Sequence, residues 1–134
     1  MQISEKVLLA FRIDTMKMKI LTRLCVQMGI RPVAVKEADE PAPLGLLAGA
    51  RDWMNPLLMQ SRPSESPLDE EMIVYAGFSE QLLERFLKEM HQSQVSVSLK
   101  AVLTEYNAVW NAASLQTELK QERAVFFRQM QDRN

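Results

Sequence analysis

Thr104, Asn107 and Trp110 stand at three-residue steps directly after an apolar run, Val102-Leu103. Together they offer a hydroxyl, an amide that both donates and accepts, and an aromatic wall, the equipment of a small-ligand pocket. The same residues suit a purely structural role. Asn107 then holds a turn through side-chain to backbone bonds, and Trp110 clamps the next helix to the layer beneath it. The structural role is the commoner one for a turn asparagine and a buried tryptophan. A second cluster, Glu37 and Asp39 with Glu40, has the oxygen chemistry of a hard-cation site. With Glu105 it would supply the acid–base groups of a hydrolase or transferase, if a cleft raised one carboxylate's pKa. An acidic loop before Pro41 and Pro43 is more simply a solvated one. In open α/β sheets ligands bind beyond the carboxyl ends of the strands. Both clusters follow strand-like runs, so a pseudo-twofold would turn them toward one crevice.

The elements that must position these residues are written twice. Val7–Phe11 is an unbroken apolar run, followed by helical spacing through Lys17, Ile20, Leu21, Leu24, Cys25 and Met28, then a strand-like stretch from Ile30 to Val35. Met72–Ala76 repeats the run, Leu82, Leu83, Phe86, Leu87 and Met90 repeat the helix, and Val95 to Leu103 repeats the second strand. Strands apolar on both sides are covered on both faces, and strand–helix–strand spacing implies parallel pairing. Asp14 or Thr15 and Ser79 are helix caps, and Gly29 before Ile30 is a helix stop. Leu44 to Gly49 reads as a short helix whose glycines allow close packing, extended by Arg51-Asp52-Trp53 and Pro56 to Met59. The fold class is therefore α/β: a single compact domain of two βαβ-like halves, about four strands packed with helices, and a C-terminal helix. The halves are 1–60 and 72–134, joined by a Pro/Ser-rich connector over 61–71. Asp69-Glu70-Glu71 reads as a solvated run that discourages edge pairing.

The last helix runs from Ala112 or Ser114 to near Met130, with Leu115, Leu119, Phe126 and Met130 inward. Val125, Phe126 and Phe127 are adjacent, so one helix cannot turn all three inward. They make a candidate interface.

The segment Lys100-Ala101-Val102-Leu103-Thr104, then Asn107, Trp110, Leu115, Leu119 and Glu122-Arg123, resembles a small bacterial family, a domain of unknown function. The resemblance covers about Met72 to Arg128 and includes the Gly77-Phe78 strand ending. It implies the order of elements and singles out Thr104, Asn107 and Trp110. It implies no activity, because the family has none assigned.

Bulk composition narrows the rest. With 134 residues the chain buries roughly two-thirds of its unfolded surface. A net charge of −1 builds no field for a phosphate backbone, so no nucleic-acid partner is expected. The single Cys25, on a buried stripe, fits packing and a reducing compartment. No apolar run spans a bilayer and the N-terminus is unlike a secretory leader, so a cytoplasmic protein without a membrane partner is expected. His91, the one histidine, ends a helix. Phosphate-loop, dinucleotide, zinc and nucleophile-elbow motifs are all missing, and neither cofactor nor metal is expected. The sequence thus favours a non-catalytic interaction or regulatory domain over an enzyme, with a homodimer or a protein partner. A ligand-binding module is the alternative.

Overall fold

The computed structural model describes residues 5–49 and 68–132. The extension of the short helix over Arg51 to Met59, with Trp53, and the connector up to Pro67 lie outside the described residues.

Two strands buried along their whole length, β1 (Val7–Phe11) and β3 (Met72–Ala76), form the antiparallel centre of the sheet, with Val7 opposite Ala76 and Phe11 opposite Met72. Helix α1 (Thr15–Gln27) carries the chain back, so that β2 (Arg31–Ala34) lies parallel to β1. Helix α3 (Glu80–Gln92) does the same for β4 (Leu99–Val102) against β3. The order is β2-β1-β3-β4, a mixed sheet of four strands. Alternation sorts the side chains into two cores. Leu8, Ala10, Ile73 and Tyr75 pack under α1 and α3 with Leu21, Cys25, Phe86 and Met90. Val7, Leu9, Phe11, Met72 and Val74 pack on the other face, under α2 (Leu44–Leu47) and the start of α4 (Ala112–Asp132). A 3-10 turn, Glu37–Asp39, leads from β2 to α2.

The repeat read in the sequence is metrically regular. The first half recurs at an offset of 65, from Val7 to Met72, Asp14 to Ser79 and Gly29 to Gln94. Asp14 accepts from the Lys17 amide at 2.9 Å and Ser79 from the Leu82 amide at 3.1 Å, so both helices start from a side-chain cap. Both stop alike. Gly29 (φ 71°) and Gln94 (φ 56°) turn left-handed, and the next amides, of Ile30 and Val95, donate back to the Cys25 and Met90 carbonyls at 2.8 and 3.0 Å. The offset then changes, from Arg31 to Leu99, because three extra residues precede β4. This shortens the strand expected over Val95 to Leu103. Val95 and Val97 are buried, yet they lie ahead of the ladder.

Three further expectations are corrected. Asp69-Glu70-Glu71 is neither merely solvated nor at an edge, since it enters the central strand β3 and each carboxylate has its own cation. Asp69 meets Lys120, Glu70 takes Arg123 through paired bonds of 2.9 and 3.0 Å, and Glu71 takes Lys17 at 2.8 Å. The run ties β3 to α4 and α1, and the Arg123 bonds hold the Glu70 carboxyl below its ordinary range. Second, Leu87 is exposed on α3 rather than inside. Third, the inward stripe of α4 ends at Leu119. Phe126 and Met130 are 59% and 52% exposed, because α4 is about 30 Å long and outruns strands of about 17 Å.

Cys25 is fully buried, and burial pushes its thiol up to about 12, which fits packing rather than nucleophilic use. Tyr75 is 2% exposed, and its hydroxyl finds no partner among the described residues. Tyr75→Phe should therefore raise the unfolding free energy by roughly 1 kcal/mol, read by urea denaturation. A loss of stability would show instead that the hydroxyl is bonded.

Candidate functional site

Thr104, Asn107 and Trp110 come together in the turn between β4 and α4. The Thr104 amide donates to Asn107 Oδ1 at 2.8 Å, and the Asn107 amide donates to Thr104 Oγ1 at 3.1 Å. Asn107 Nδ2 donates to the Val102 carbonyl at 3.1 Å, and the Trp110 amide to the Asn107 carbonyl at 3.0 Å. Asn107 is 9% exposed, so its amide closes the turn on itself. The clamp also reaches α2. The Leu44 and Gly45 amides donate to the Trp110 and Ala108 carbonyls, each at 2.8 Å. Gly45 is buried at this approach.

The site faces a groove of about 340 Å³ between the outer edge of β4 and α4. Tyr106, 73% exposed, stands edge-on to Trp110 with centroids 5.1 Å apart. Ala101 and Leu119 line the apolar part, and Glu118 and Glu122 stand on the helix side. Asn107 is committed to backbone, and Tyr106, Trp110 and the two carboxylates line the groove beside it.

Glu37 and Asp39 do not join this turn. β1 and β3 are antiparallel, and β2 and β4 are opposite edges, so the carboxyl ends of β2 and β4 point to opposite ends of the sheet. The shared crevice expected from a pseudo-twofold is thus absent, and the two clusters follow strands that end at opposite ends of the sheet. Glu37 lies 3.3 Å from Arg12, and Glu40 holds the same guanidinium at 2.8 Å. Asp39 is exposed in the 3-10 turn, and Glu105 is exposed in the β4–α4 turn. Among the described residues, no three acidic, histidine or cysteine side chains are placed to hold a metal ion. Val125, Phe126 and Phe127 lie exposed on the part of α4 that projects past the sheet.

Two residues with structural work were not anticipated. Asn111 caps α4 by accepting from the Ser114 amide at 2.9 Å; its spacing, an asparagine three before a serine at a helix start, was there to be read. Gln116 is 4% exposed and bridges to the Asp69 amide and Glu70 carbonyl at 3.1 and 3.0 Å. No local signal marks it, since its partners lie 46 and 47 residues away.

Fold and site together define a repeat-built α/β domain with a structural turn flanking an open edge groove. Residues 71–126, from Glu71 of the ion-pair run to Phe126, match the model of a family described as Domain of unknown function (DUF3783), so the second half of the chain resembles that family. No curated protein and no solved structure matches the chain. The matched segment holds β3, α3, β4, the turn and most of α4, while the first half supplies the antiparallel neighbour of β3. Among the described residues no helix is long and apolar enough to cross a membrane.

Proposed function

We propose that this protein is a non-catalytic interaction domain of the bacterial cytoplasm that self-associates through the end of α4. One observation carries the reading. Val125, Phe126, Phe127 and Met130 are 49%, 59%, 56% and 52% exposed within one helical segment. Large apolar side chains massed outside the core mark contact surfaces. Phe126 and Met130 also continue the helical stripe that Leu115 and Leu119 bury on the sheet, so the patch is an extension of the core that lacks its cover. A second copy presenting the same patch about a twofold axis supplies a cover of the same chemistry. The buried Cys25 suits a reducing compartment, and the exposed Glu37 and Asp39 suit a surface loop better than an acid–base pair.

Phe127→Glu tests this by sedimentation equilibrium. A twofold dimer loses two Phe127 side chains at once, about 2 kcal/mol each, so dimer affinity should fall about a thousand-fold. Far-ultraviolet circular dichroism should stay unchanged, because the side chain lies off the sheet. A wild-type chain that is monomeric at every concentration, or a dimer indifferent to the substitution, overturns the reading.

A further inference from the structure

We propose that the outer edge of β4 binds an extended, arginine-bearing segment of a partner protein, which adds to the sheet as a fifth strand. The surface is separate from the α4 tip, so this proposal and the self-association reading stand or fall apart.

The two edges of the sheet are built differently. On β2, the Arg31 and Val35 amides donate inward to Lys6 and Ala10 at 2.8 and 2.9 Å. Strand alternation therefore turns Pro32 outward, where it has no N–H to offer, a common way of blunting an edge. On β4, the Leu103 amide donates inward to the Tyr75 carbonyl at 2.8 Å, so the backbone groups of Lys100 and Val102 face outward. No proline guards them. Asn107 Nδ2 takes the Val102 carbonyl at 3.1 Å, which fixes where an added ladder must end. Among the described residues, the Lys100 amide and carbonyl and the Val102 amide are left to pair with an incoming strand.

The groove beside this edge specifies one side chain of that strand. A residue lying next to Ala101 on the α4 side enters the space of about 340 Å³ between Tyr106 and the carboxylates of Glu118 and Glu122. Glu118 and Glu122 are one helical turn apart and form no ion pair among the described residues. An arginine there lays its planar guanidinium on the Tyr106 ring and forks onto carboxylate, two interactions that lysine makes less well. Backbone pairing gives the affinity, and the groove gives the preference.

The test uses the full-length protein and two capped heptapeptides of alternating Val and Thr, one with a central Arg and one with Glu in its place. Binding is read from the Lys100 and Val102 amide resonances by NMR. The Arg peptide should shift both amides and bind at least tenfold more tightly than its Glu twin. Val102→Pro reproduces on this edge what Pro32 does on the other, and should weaken the Arg peptide tenfold or more, read at the Lys100 amide alone, with an unchanged thermal transition. If that variant fails to fold, Glu118→Arg with Glu122→Arg decides instead, by reversing the preference between the two peptides. Equal affinity for both peptides, unshifted Lys100 and Val102 amides at millimolar peptide, or full binding by a folded Val102→Pro would each overturn the proposal. So would a dimer that Val102→Pro converts to monomer, because a second copy would then own the edge.

Discussion

Asn107→Ala should lower the unfolding free energy by about 2–4 kcal/mol, measured by urea denaturation. The substitution removes the acceptor of the Thr104 amide and the donor to the Val102 carbonyl in one step. Each lost partner leaves a backbone group unpaired beside a side chain that was 9% exposed, and such a group costs about 1–3 kcal/mol. The damage spreads, because the same turn presents the Ala108 and Trp110 carbonyls to α2. Asn107→Asp is the informative companion. It keeps the acceptor for Thr104 and loses the donor to Val102, so it should fall between wild type and alanine. A stable Asn107→Ala protein would hand Asn107 back to ligand recognition.

Phe86→Ala should cost about 3–5 kcal/mol, the larger of the two effects. Phe86 is fully buried and stands edge-on to both Tyr75 and Phe78, with centroids 6.0 and 5.8 Å away. Truncation opens a cavity and breaks two aromatic pairs whose geometry adds to the area they bury. In the repeat, Phe86 stands where the first half has Leu21, also fully buried in the same core. The two helices thus fill one layer from either side of the β1–β3 pair, with side chains of different volume. Thermal denaturation should show a single transition displaced downward by more than about 10 °C, not an early transition of one half. Two resolved transitions would mean that the halves fold as separate units despite their common sheet.

The local sequence determined the elements. Unbroken five-residue apolar runs suit strands covered on both faces, and Val7–Phe11 and Met72–Ala76 are strands buried at every residue. The cap at Ser79 and the stop at Gly29 were equally legible, because each uses bonds within one turn of chain, while the first cap was legible as Asp14 or Thr15 and is Asp14. So was the strand–helix–strand repeat with parallel pairing inside each half. The motif Thr104, Asn107, Trp110 could also be found, since its bonds span only a few residues. Its spacing alone does not choose between pocket and clamp; the structure adds that Thr104 and Asn107 close three short bonds within their own turn.

What lay beyond reach was every relation between the halves. No residue in either half states that β1 meets β3 antiparallel, and that one choice decides the rest. It sends Glu37 and Thr104 to opposite ends of the sheet and makes β3 central. It also brings Glu71 to Lys17 of α1, while the packing of α4 brings Lys120 and Arg123 to Asp69 and Glu70 from about fifty residues away. The fate of Phe126 and Met130 was likewise not local: helical spacing says which side they face, and only the length of the neighbouring strands says that nothing there covers them. Short-range hydrogen bonding and apolar periodicity are written along the chain, while ion pairing, edge exposure and overhang are properties of which surfaces meet. The elements of this protein were therefore fixed by its sequence, and its clamps, its open edge and its apolar overhang by the packing of those elements.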